Sequence, residues 1–357
     1  MKKKMALMLS SVLTAGTLLA GCGSSDDAKT GDKGSKKENF KVAMVTDTGG
    51  VDDKSFNQSA WEGMQKFGKD NSLVKDTGFK YLQSNAQSDY KPNLNALIRQ
   101  DFKLIFGIGF LMAEDVKQVA QQKPDAHLAI VDMVVPEKNV ASITFKEHEG
   151  SFLVGLIAGL QTKSNKVGFV GGVNSELIKK FENGFKAGVL AANPKAEVMV
   201  QYAEDFNKAE KGQAIAGTMY GKGADIIYHA AGGTGMGVFT EAKNLKKNGK
   251  DVWVIGVDRD QHEEGMPENV TLTSMVKRVD TAVYDVSKLA MDGKFPGGEI
   301  VEFGLDKDGV GIAPTQENVS KDALKMVEEY KQKIIKGEVT VPKTDDEFKD
   351  FQSKQGK

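Results

Sequence analysis

The chain has 357 residues, of which 27% are charged, and its formal net charge at pH 7 is −1. This balance lacks the basic excess that neutralising nucleic-acid phosphates requires, and it excludes nucleic acid as a partner. A single cysteine excludes an internal disulfide, so the packed core alone must hold the fold together.

The amino terminus has the pattern of an export signal. Three lysines follow the first Met, and residues 5–19 form an apolar run broken only by Ser, Thr and Gly. The run is shorter than the roughly 20 apolar residues of a membrane-spanning helix, and small residues suited to cleavage follow it. The four residues that end at Cys22 resemble a bacterial lipobox. We therefore predict a lipoprotein signal peptide over 1–21 and lipidation of Cys22, which would anchor the chain at the extracytoplasmic face of the cell membrane.

The alternative for Cys22 is an ordinary buried cysteine that happens to follow an apolar run. Residues 22–39 are rich in Gly, Ser, Asp and Lys, which predicts a flexible tether. The following 300 or so residues, from 40 to 342, are enough for two lobes by the usual domain-size range. No later apolar run approaches the length of a membrane span.

From position 40 onward, short apolar runs alternate with loops and with segments of helical spacing, a pattern typical of parallel sheets flanked by helices. Strands are predicted over Lys41–Thr46, Gly78–Leu82, Leu104–Gly107, His127–Asp132, Ser142–Phe145, Lys166–Val170, Glu197–Tyr202, Asp225–His229 and Trp253–Val257. Helices are predicted over Ser55–Lys69, Lys91–Gln100, Met112–Gln122, Glu149–Gln161, Leu177–Ala191, Lys208–Gly221 and Met236–Lys247. The cycle restarts near position 166, so we predict two similar α/β lobes. A ligand would bind between them, at the carboxyl ends of the strands.

Four ordered segments carry a family resemblance: Val45–Asn57 (VTDTGGVDDKSFN), Ala231–Gly237 (AGGTGMG), Gly256–Gln261 (GVDRDQ) and Thr273–Arg278 (TSMVKR). Together they resemble the basic-membrane-protein lipoproteins, the PnrA-like nucleoside-binding proteins of bacterial ABC importers. The resemblance covers nearly all of the chain after the tether. It implies a protein that binds a nucleoside without a cofactor and hands it to an ABC permease.

The resemblance also implies a type I periplasmic-binding-protein fold, with two Rossmann-like lobes joined by a hinge of crossover segments. The chain would cross near Phe145–Glu149, return around Val270–Met275 and cross back near Glu299–Phe303. The expected organisation is lobe 1 over 40–146 plus 270–298, lobe 2 over 147–269 plus 299–342, and a polar C-terminal tail over 343–357. We expect a monomer.

Three candidate contacts to the base follow from strand ends and from the resemblance. Asp47 could accept hydrogen bonds from base N–H groups, although Asp is also ordinary in turns. Phe56 would stack on the base, or else pack on the core as a helix staple; Ser55 before it is a candidate cap, with Gln58 completing a capping box. Tyr228 is expected to be the second stacking ring, with a plain core role as the alternative.

The ribose is assigned to two charged residues. Asp258 follows a strand, and one carboxylate can accept hydrogen bonds from both hydroxyls of a vicinal diol. Lys277 is its expected companion, because an ammonium has three donors to share between the carboxylate and a sugar oxygen. Alone, either residue could be a surface charge.

Three further residues complete the predicted binding set. Gly233 lies in a loop that lets backbone N–H groups approach a ligand, or that simply forms a tight turn. Asp132 is a weaker candidate for the base edge. Thr48 stands where the purine-binding pattern has Asn, and a hydroxyl makes no bidentate contact, so purines are favoured over pyrimidines only modestly.

An enzyme is the main alternative, because α/β sheets also carry nucleosidases. The sequence contains no G-x-x-x-x-G-K-[ST], no G-x-S-x-G and no H-E-x-x-H motif, and its four histidines are scattered, so we predict neither catalysis nor a metal site. Two rivals stay open. The Asp-rich loop 47–53 could hold Ca²⁺ in a nucleoside hydrolase, or the binding fold could take a free sugar or autoinducer.

Overall fold

The computed structural model describes residues 40–355. Its strands are β1 Val42–Val45, β2 Phe79–Leu82, β3 Leu104–Ile108, β4 His127–Val131, β5 Val140–Phe145, β6 Lys166–Gly171, β7 Glu197–Tyr202, β8 Ile226–Ala230, β9 Trp253–Asp258, β10 Thr271–Lys277, β11 Ile300–Phe303 and β12 Val310–Ile312. Its helices are α1 Phe56–Asp70, α2 Tyr90–Arg99, α3 Ala113–Gln122, α4 Glu147–Gln161, α5 Glu176–Ala192, α6 Ala209–Gly221, α7 Gly235–Lys247, α8 Val279–Met291, α9 Lys321–Ile335 and α10 Asp345–Gln355. Every predicted strand and helix is confirmed, with ends that differ by no more than two residues.

The strands form two six-stranded sheets. The first has the order β11-β5-β4-β3-β1-β2, and the second has the order β12-β10-β9-β8-β6-β7. All pairings are parallel except that between β10 and β12. The first sheet and the helices packed on it form the first lobe, and the second sheet and its helices form the second lobe. This confirms the α/β class with two mostly parallel sheets.

The chain passes between the lobes three times within residues 40–355. β5 ends in the first sheet, and α4 then packs on α5 in the second lobe. β10 pairs with β9 in the second sheet, and α8 then returns to pack on α1 in the first lobe. β11 pairs with β5 in the first sheet, and β12 returns to the second.

Two expected crossings are therefore wrong. Residues 270–275 do not return to the first lobe, because β10 is hydrogen-bonded to β9 of the second sheet. Residues 299–303 do not enter the second lobe, because β11 is hydrogen-bonded to β5 of the first. The returns follow these strands instead, at about 278 and 304, so the expected lobe boundaries shift by several residues.

Helix α4 is apolar nearly all round and packs against α5 in the centre of the second lobe. Glycines permit this close approach: a Cβ at Gly155 would overlap the carbonyl oxygen of Phe185, and one at Gly188 would overlap that of Phe152. The close packing fixes the start of α4, and with it Glu147, relative to the cleft.

The expected polar tail is a helix over most of its length. The Phe351 ring in α10 lies 6.4 Å from the ring of Phe152, and Asp345 accepts a hydrogen bond from the side-chain nitrogen of Asn183 at 3.0 Å. These contacts attach α10 to the second lobe. Within residues 40–355, no helix combines the length and apolar character that crossing a membrane requires.

Candidate ligand-binding site between the lobes

A cleft lies between the carboxyl ends of the strands of the two sheets and encloses about 550 Å³ of space, part of it open to solvent. Four acidic residues, one lysine and several phenylalanine rings line it together with small and apolar residues. The lining residues are Asp47, Gly49, Asp53, Phe56, Asn57, Gly109, Phe110, Asp132, Leu177, Ile178, Phe181, Phe206, Ala230, Ala231, Gly232, Val257, Asp258 and Lys277. The cleft therefore combines aromatic surface with a concentration of hydrogen-bond acceptors.

Asp47 lies just after β1 and is held in place by its own loop. Its Oδ1 accepts hydrogen bonds from the backbone N–H of Gly49 at 2.8 Å and from the side-chain nitrogen of Asn57 at 2.6 Å. No hydrogen bond between residues 40 and 355 uses Oδ2. Burial, and then the negative charge of Asp53, raise the pKa of Asp47 to about 6. One carboxylate oxygen is thus available to a donor in the cleft.

Helix α1, which carries Phe56, is capped by Asp53 rather than by Ser55. The Asp53 carboxylate accepts hydrogen bonds from the backbone N–H groups of Ser55, Asn57 and Gln58 at 2.8–3.1 Å. The predicted capping box is wrong, because the Gln58 side chain donates to Glu62 instead. The Ser55 hydroxyl is consequently free to act elsewhere.

Asp258 lies at the end of β9 and accepts a hydrogen bond from the Ser55 hydroxyl. Ser55 Oγ donates to Asp258 Oδ2 at 2.5 Å, a bond that links the two lobes. Asp258 adopts φ 65°, in the left-handed region that Asp tolerates better than most residues. Burial raises its pKa to about 6, with the charge of Lys277 acting in the opposite direction.

Lys277 pairs directly with Asp132, not with Asp258 as predicted. Its Nζ donates to Asp132 Oδ2 at 2.5 Å, and its side chain is 2% exposed. The charges of Asp132, Glu147 and Asp258 hold the lysine pKa above its usual value, although burial acts to lower it. Asp132 Oδ1 is buried without a hydrogen-bond partner in the described structure. The candidate with the weakest sequence support is thus a central charge of the cleft.

The aromatic residues of the cleft differ from those predicted. Phe56 lines it, but Tyr228 does not, because β8 continues to Ala230 and places Tyr228 within the sheet. The Tyr228 ring lies 5.1 Å from that of Phe185, and its hydroxyl lies 3.1 Å from Ser151 Oγ. Tyr228 is therefore a core residue of the second lobe.

Three other rings line the cleft: Phe110, Phe181 and Phe206. Phe181 lies on the same face of α5 as Leu177 and Ile178, a spacing that is equally typical of a helix face turned to the core. Phe110 and Phe206 meet edge to face from opposite lobes, with their centroids 6.2 Å apart. Nothing in the residue types around these positions distinguished them from core phenylalanines.

Thr48 and Gly233 are not among the lining residues. The backbone oxygen of Thr48 accepts a hydrogen bond from the Asn207 side chain of the second lobe at 3.0 Å. In the glycine-rich loop, Gly232 lines the cleft, with φ 53°, a conformation that glycine adopts readily. Asp47, Phe56, Asp132, Asp258 and Lys277 are the predicted residues that the fold brings together.

Further contacts join the lobes outside the cleft. Arg259 of the second lobe donates two hydrogen bonds to the Glu62 carboxylate of the first, at 2.7 and 3.2 Å. The Gln261 side chain donates to the backbone oxygen of Lys54 at 2.9 Å. With the Ser55–Asp258 and Lys277–Asp132 bonds, these contacts define a closed arrangement of the two lobes.

A calcium site in the loop 47–53 gains no support. Across residues 40–355, no group of three or more His, Cys, Asp or Glu side chains is arranged to hold a metal ion. Both oxygens of Asp53 accept N–H bonds from the start of α1, which uses them for capping.

Two parallel-sheet lobes closed over a buried, aromatic and acceptor-rich cleft define a solute-binding protein of the type I periplasmic class. A solved solute-binding protein of an ABC transporter system from Aeropyrum pernix superposes with a TM-score of 0.77 and 27% identity, covering 89% of this chain and 97% of that one. The chain belongs to the PnrA-like family of ABC transporter substrate-binding proteins, whose family model matches residues 40–345.

Two relatives align over 96% of this chain and 99% of their own lengths. One is the CD4+ T-cell-stimulating antigen of Listeria innocua, at 57% identity over 353 residues. The other is the ABC transporter nucleoside-binding protein BmpA of Lactococcus lactis, at 44% identity over 353 residues. The protein is thus a transporter component that binds a small molecule and serves a membrane permease. It is not an enzyme.

Proposed function

We propose that this protein captures nucleosides, purine ribonucleosides foremost, in the cleft between its lobes and delivers them to an ABC permease. The observation that carries the proposal is the cluster of three carboxylates, the buried Asp132 and Asp258 and the half-buried Asp47, in a cleft lined by phenylalanine rings. A nucleoside matches this chemistry, because it combines a flat base with several N–H and O–H donors. The name of the Lactococcus lactis relative points in the same direction.

The base belongs with the rings and with Asp47 in this proposal. Phe56 comes from the first lobe and Phe181 from the second, so a base between them would be held only in the closed state. Stacking of a base on an aromatic ring contributes roughly 1–3 kcal/mol in nucleic-acid binders. Asp47 Oδ2 would accept a base N–H, a bond that purines with a protonated ring nitrogen, such as hypoxanthine and guanine, can donate.

The ribose belongs with Asp258. Its Oδ2 already accepts the Ser55 hydroxyl, which orients the carboxylate and leaves Oδ1 for the sugar. Lys277 has three donors, and its Nζ uses one on Asp132, so it could also donate to a sugar oxygen. A free sugar would use these groups but leave the rings without a partner.

Anchoring and capture are separate parts of the proposal. Cys22, the signal peptide over 1–21 and the tether over 22–39 lie outside the described residues, and their roles rest on the sequence pattern alone. We propose that lipid on Cys22 holds a monomeric binding unit at the extracytoplasmic face. The binding unit would comprise a first lobe of about 40–145 plus 279–303 and a second lobe built from most of the remainder.

Isothermal titration with inosine, guanosine, adenosine, uridine, hypoxanthine and ribose tests this function. We expect the purine ribonucleosides to bind most tightly, with hypoxanthine and ribose at least ten times weaker than inosine. Tight binding of ribose with no response to any nucleoside would contradict the proposal in favour of a sugar-binding protein.

A further inference from the structure

Glu147 is a buried carboxylate that has no part in the ligand contacts described above. It lies at the first position of α4, its side chain is 0% exposed, and it does not line the cleft. Its Oε2 accepts a hydrogen bond from Lys180 Nζ at 3.2 Å. Its Oε1 has no hydrogen-bond partner in the described structure, although Lys277 Nζ lies 4.0 Å away.

Two acidic neighbours of Lys277, Asp132 and Glu147, belong to different lobes. Asp132, its present partner, follows β4 of the first sheet, whereas Lys277 ends β10 of the second. Glu147 begins α4, which packs on α5 and β10 in the second lobe. When the lobes separate, Asp132 therefore moves away from Lys277 while Glu147 stays beside it.

Glu147 Oε1 offers the lysine an acceptor within its own lobe once Asp132 has moved away. The ring centroids of Phe56, Phe145 and Phe181 lie 4.8, 5.1 and 5.6 Å from Lys277 Nζ in the closed arrangement, and Phe181 is the one that stays beside the lysine in the second lobe. A buried charge without a counter-charge is strongly unfavourable. A movement of little more than 1 Å would bring Nζ from 4.0 Å to the roughly 2.8 Å of a charge-assisted hydrogen bond with Glu147 Oε1.

We propose that Glu147 is a positioning residue that receives the Lys277 ammonium when the lobes open, so that the lysine alternates between Asp132 in the closed state and Glu147 in the open state. This inference rests on the opening and closing that the proposed function requires. The exchange keeps the Lys277 ammonium paired with a carboxylate inside the second lobe. It thereby lowers the free energy of opening, which favours ligand release. Burial raises the pKa of Glu147, with Lys180 and then Lys277 acting in the opposite direction, so an approach of the lysine stabilises the ionised carboxylate further.

Opposite shifts in two variants test the exchange. Glu147→Gln removes the charge that the lysine meets in the open state, so it should destabilise the open state more than the closed state. The ratio of closed to open molecules without ligand should then rise about tenfold, equivalent to about 1.4 kcal/mol. Asp132→Asn weakens the closed-state partner and should move it toward the open form. Glu210→Gln, an exposed charge on α6 of the same lobe, is the matched control and should change neither.

The measurement is small-angle scattering of the full chain without ligand, together with the dissociation rate of inosine by stopped flow. We expect Glu147→Gln to have a smaller radius of gyration than the parent and to release inosine about tenfold more slowly. In a Lys277→Met background, Glu147→Gln should have no further effect on the radius. Glu147→Asp, which keeps the charge but shortens the side chain, takes the place of Glu147→Gln if that variant does not fold.

Two results would overturn the exchange. The first is that ligand-free Glu147→Gln has the same radius of gyration as the parent, although Asp132→Asn has a larger one. The other is an equal effect of Glu147→Gln with and without Lys277. Failure of inosine to bind would contradict the nucleoside assignment instead, because the ligand-free comparison requires no nucleoside.

Discussion

Replacing Asp258 with Asn tests how the cleft would recognise the sugar. The two side chains have nearly the same shape, so the change removes the charge with little loss of packing. Hydrogen bonds to a charged group contribute roughly 1.5–3 kcal/mol and neutral ones roughly 0.5–1.5 kcal/mol. With two ribose hydroxyls on Asp258, the loss is about 2–3 kcal/mol, so inosine should bind between one and a half and about two powers of ten more weakly.

The same substitution should stabilise the ligand-free fold. Burial raises the pKa of Asp258 from 3.8 to about 6, so the ionised carboxylate is less stable in the folded state than in the unfolded state at pH 7. At about 1.4 kcal/mol per pH unit, removing the charge should increase the free energy of unfolding by up to about 3 kcal/mol. Weaker binding with unchanged or higher stability separates a lost contact from damaged folding.

Isothermal titration of inosine and 2′,3′-dideoxyinosine provides the assay, with urea unfolding for stability. The parent should prefer inosine strongly, and Asp258→Asn should lose most of that preference. Asp52→Asn removes an exposed charge from a loop beside the cleft and serves as the matched control. The ribose assignment would be refuted if Asp258→Asn bound inosine as tightly as the parent, or weakened both ligands equally.

Three further predictions follow from the site and the amino terminus. Asp47 and Asp258 have pKa values of about 6 in the ligand-free fold, so they take up protons as the pH falls from 7 to 5. Because protonated carboxyl groups are poorer acceptors, the Kd for inosine should rise by about tenfold or more over this range. A Kd that does not change with pH would contradict their role as acceptors. Phe181→Ala should weaken inosine binding by roughly 1–3 kcal/mol through lost stacking, whereas Tyr228→Phe should change the melting temperature and leave the Kd unchanged; the reverse result would restore Tyr228 as the second stacking ring. Cys22→Ala should abolish labelling by a fatty-acid analogue, and a labelled variant would show that the lipid attaches elsewhere.

The fold was largely predictable because the alternation of apolar runs and helical segments directly reflects parallel sheets covered by helices. The crossings were harder, since a buried strand such as β10 has the same apolar character in either sheet. Only its hydrogen bonds to β9 assign it to the second lobe. The helix α10 escaped prediction because its composition is mostly polar, although the spacing of Phe348 and Phe351 was a usable signal.

The charged residues of the site were predictable because they follow strands whose carboxyl ends meet at the cleft. Their pairing was not, since the choice of Asp132 over Asp258 by Lys277 depends on how the two lobes meet. The prediction of Tyr228 as the second stacking ring failed for a similar reason. Tyr228 and Phe181 both have apolar neighbours, and β8 runs one residue past its predicted end, to Ala230, which leaves Tyr228 within the sheet while Phe181 of α5 lines the cleft.

A crystal structure of the protein with inosine is the most direct test of nucleoside capture between the lobes. The proposed function predicts the base between the rings of Phe56 and Phe181, both ribose hydroxyls within hydrogen-bond distance of Asp258, and the lobes closed as described here. Inosine bound outside the cleft, or bound within it with its ribose away from Asp258 and its base away from the rings, would contradict that prediction.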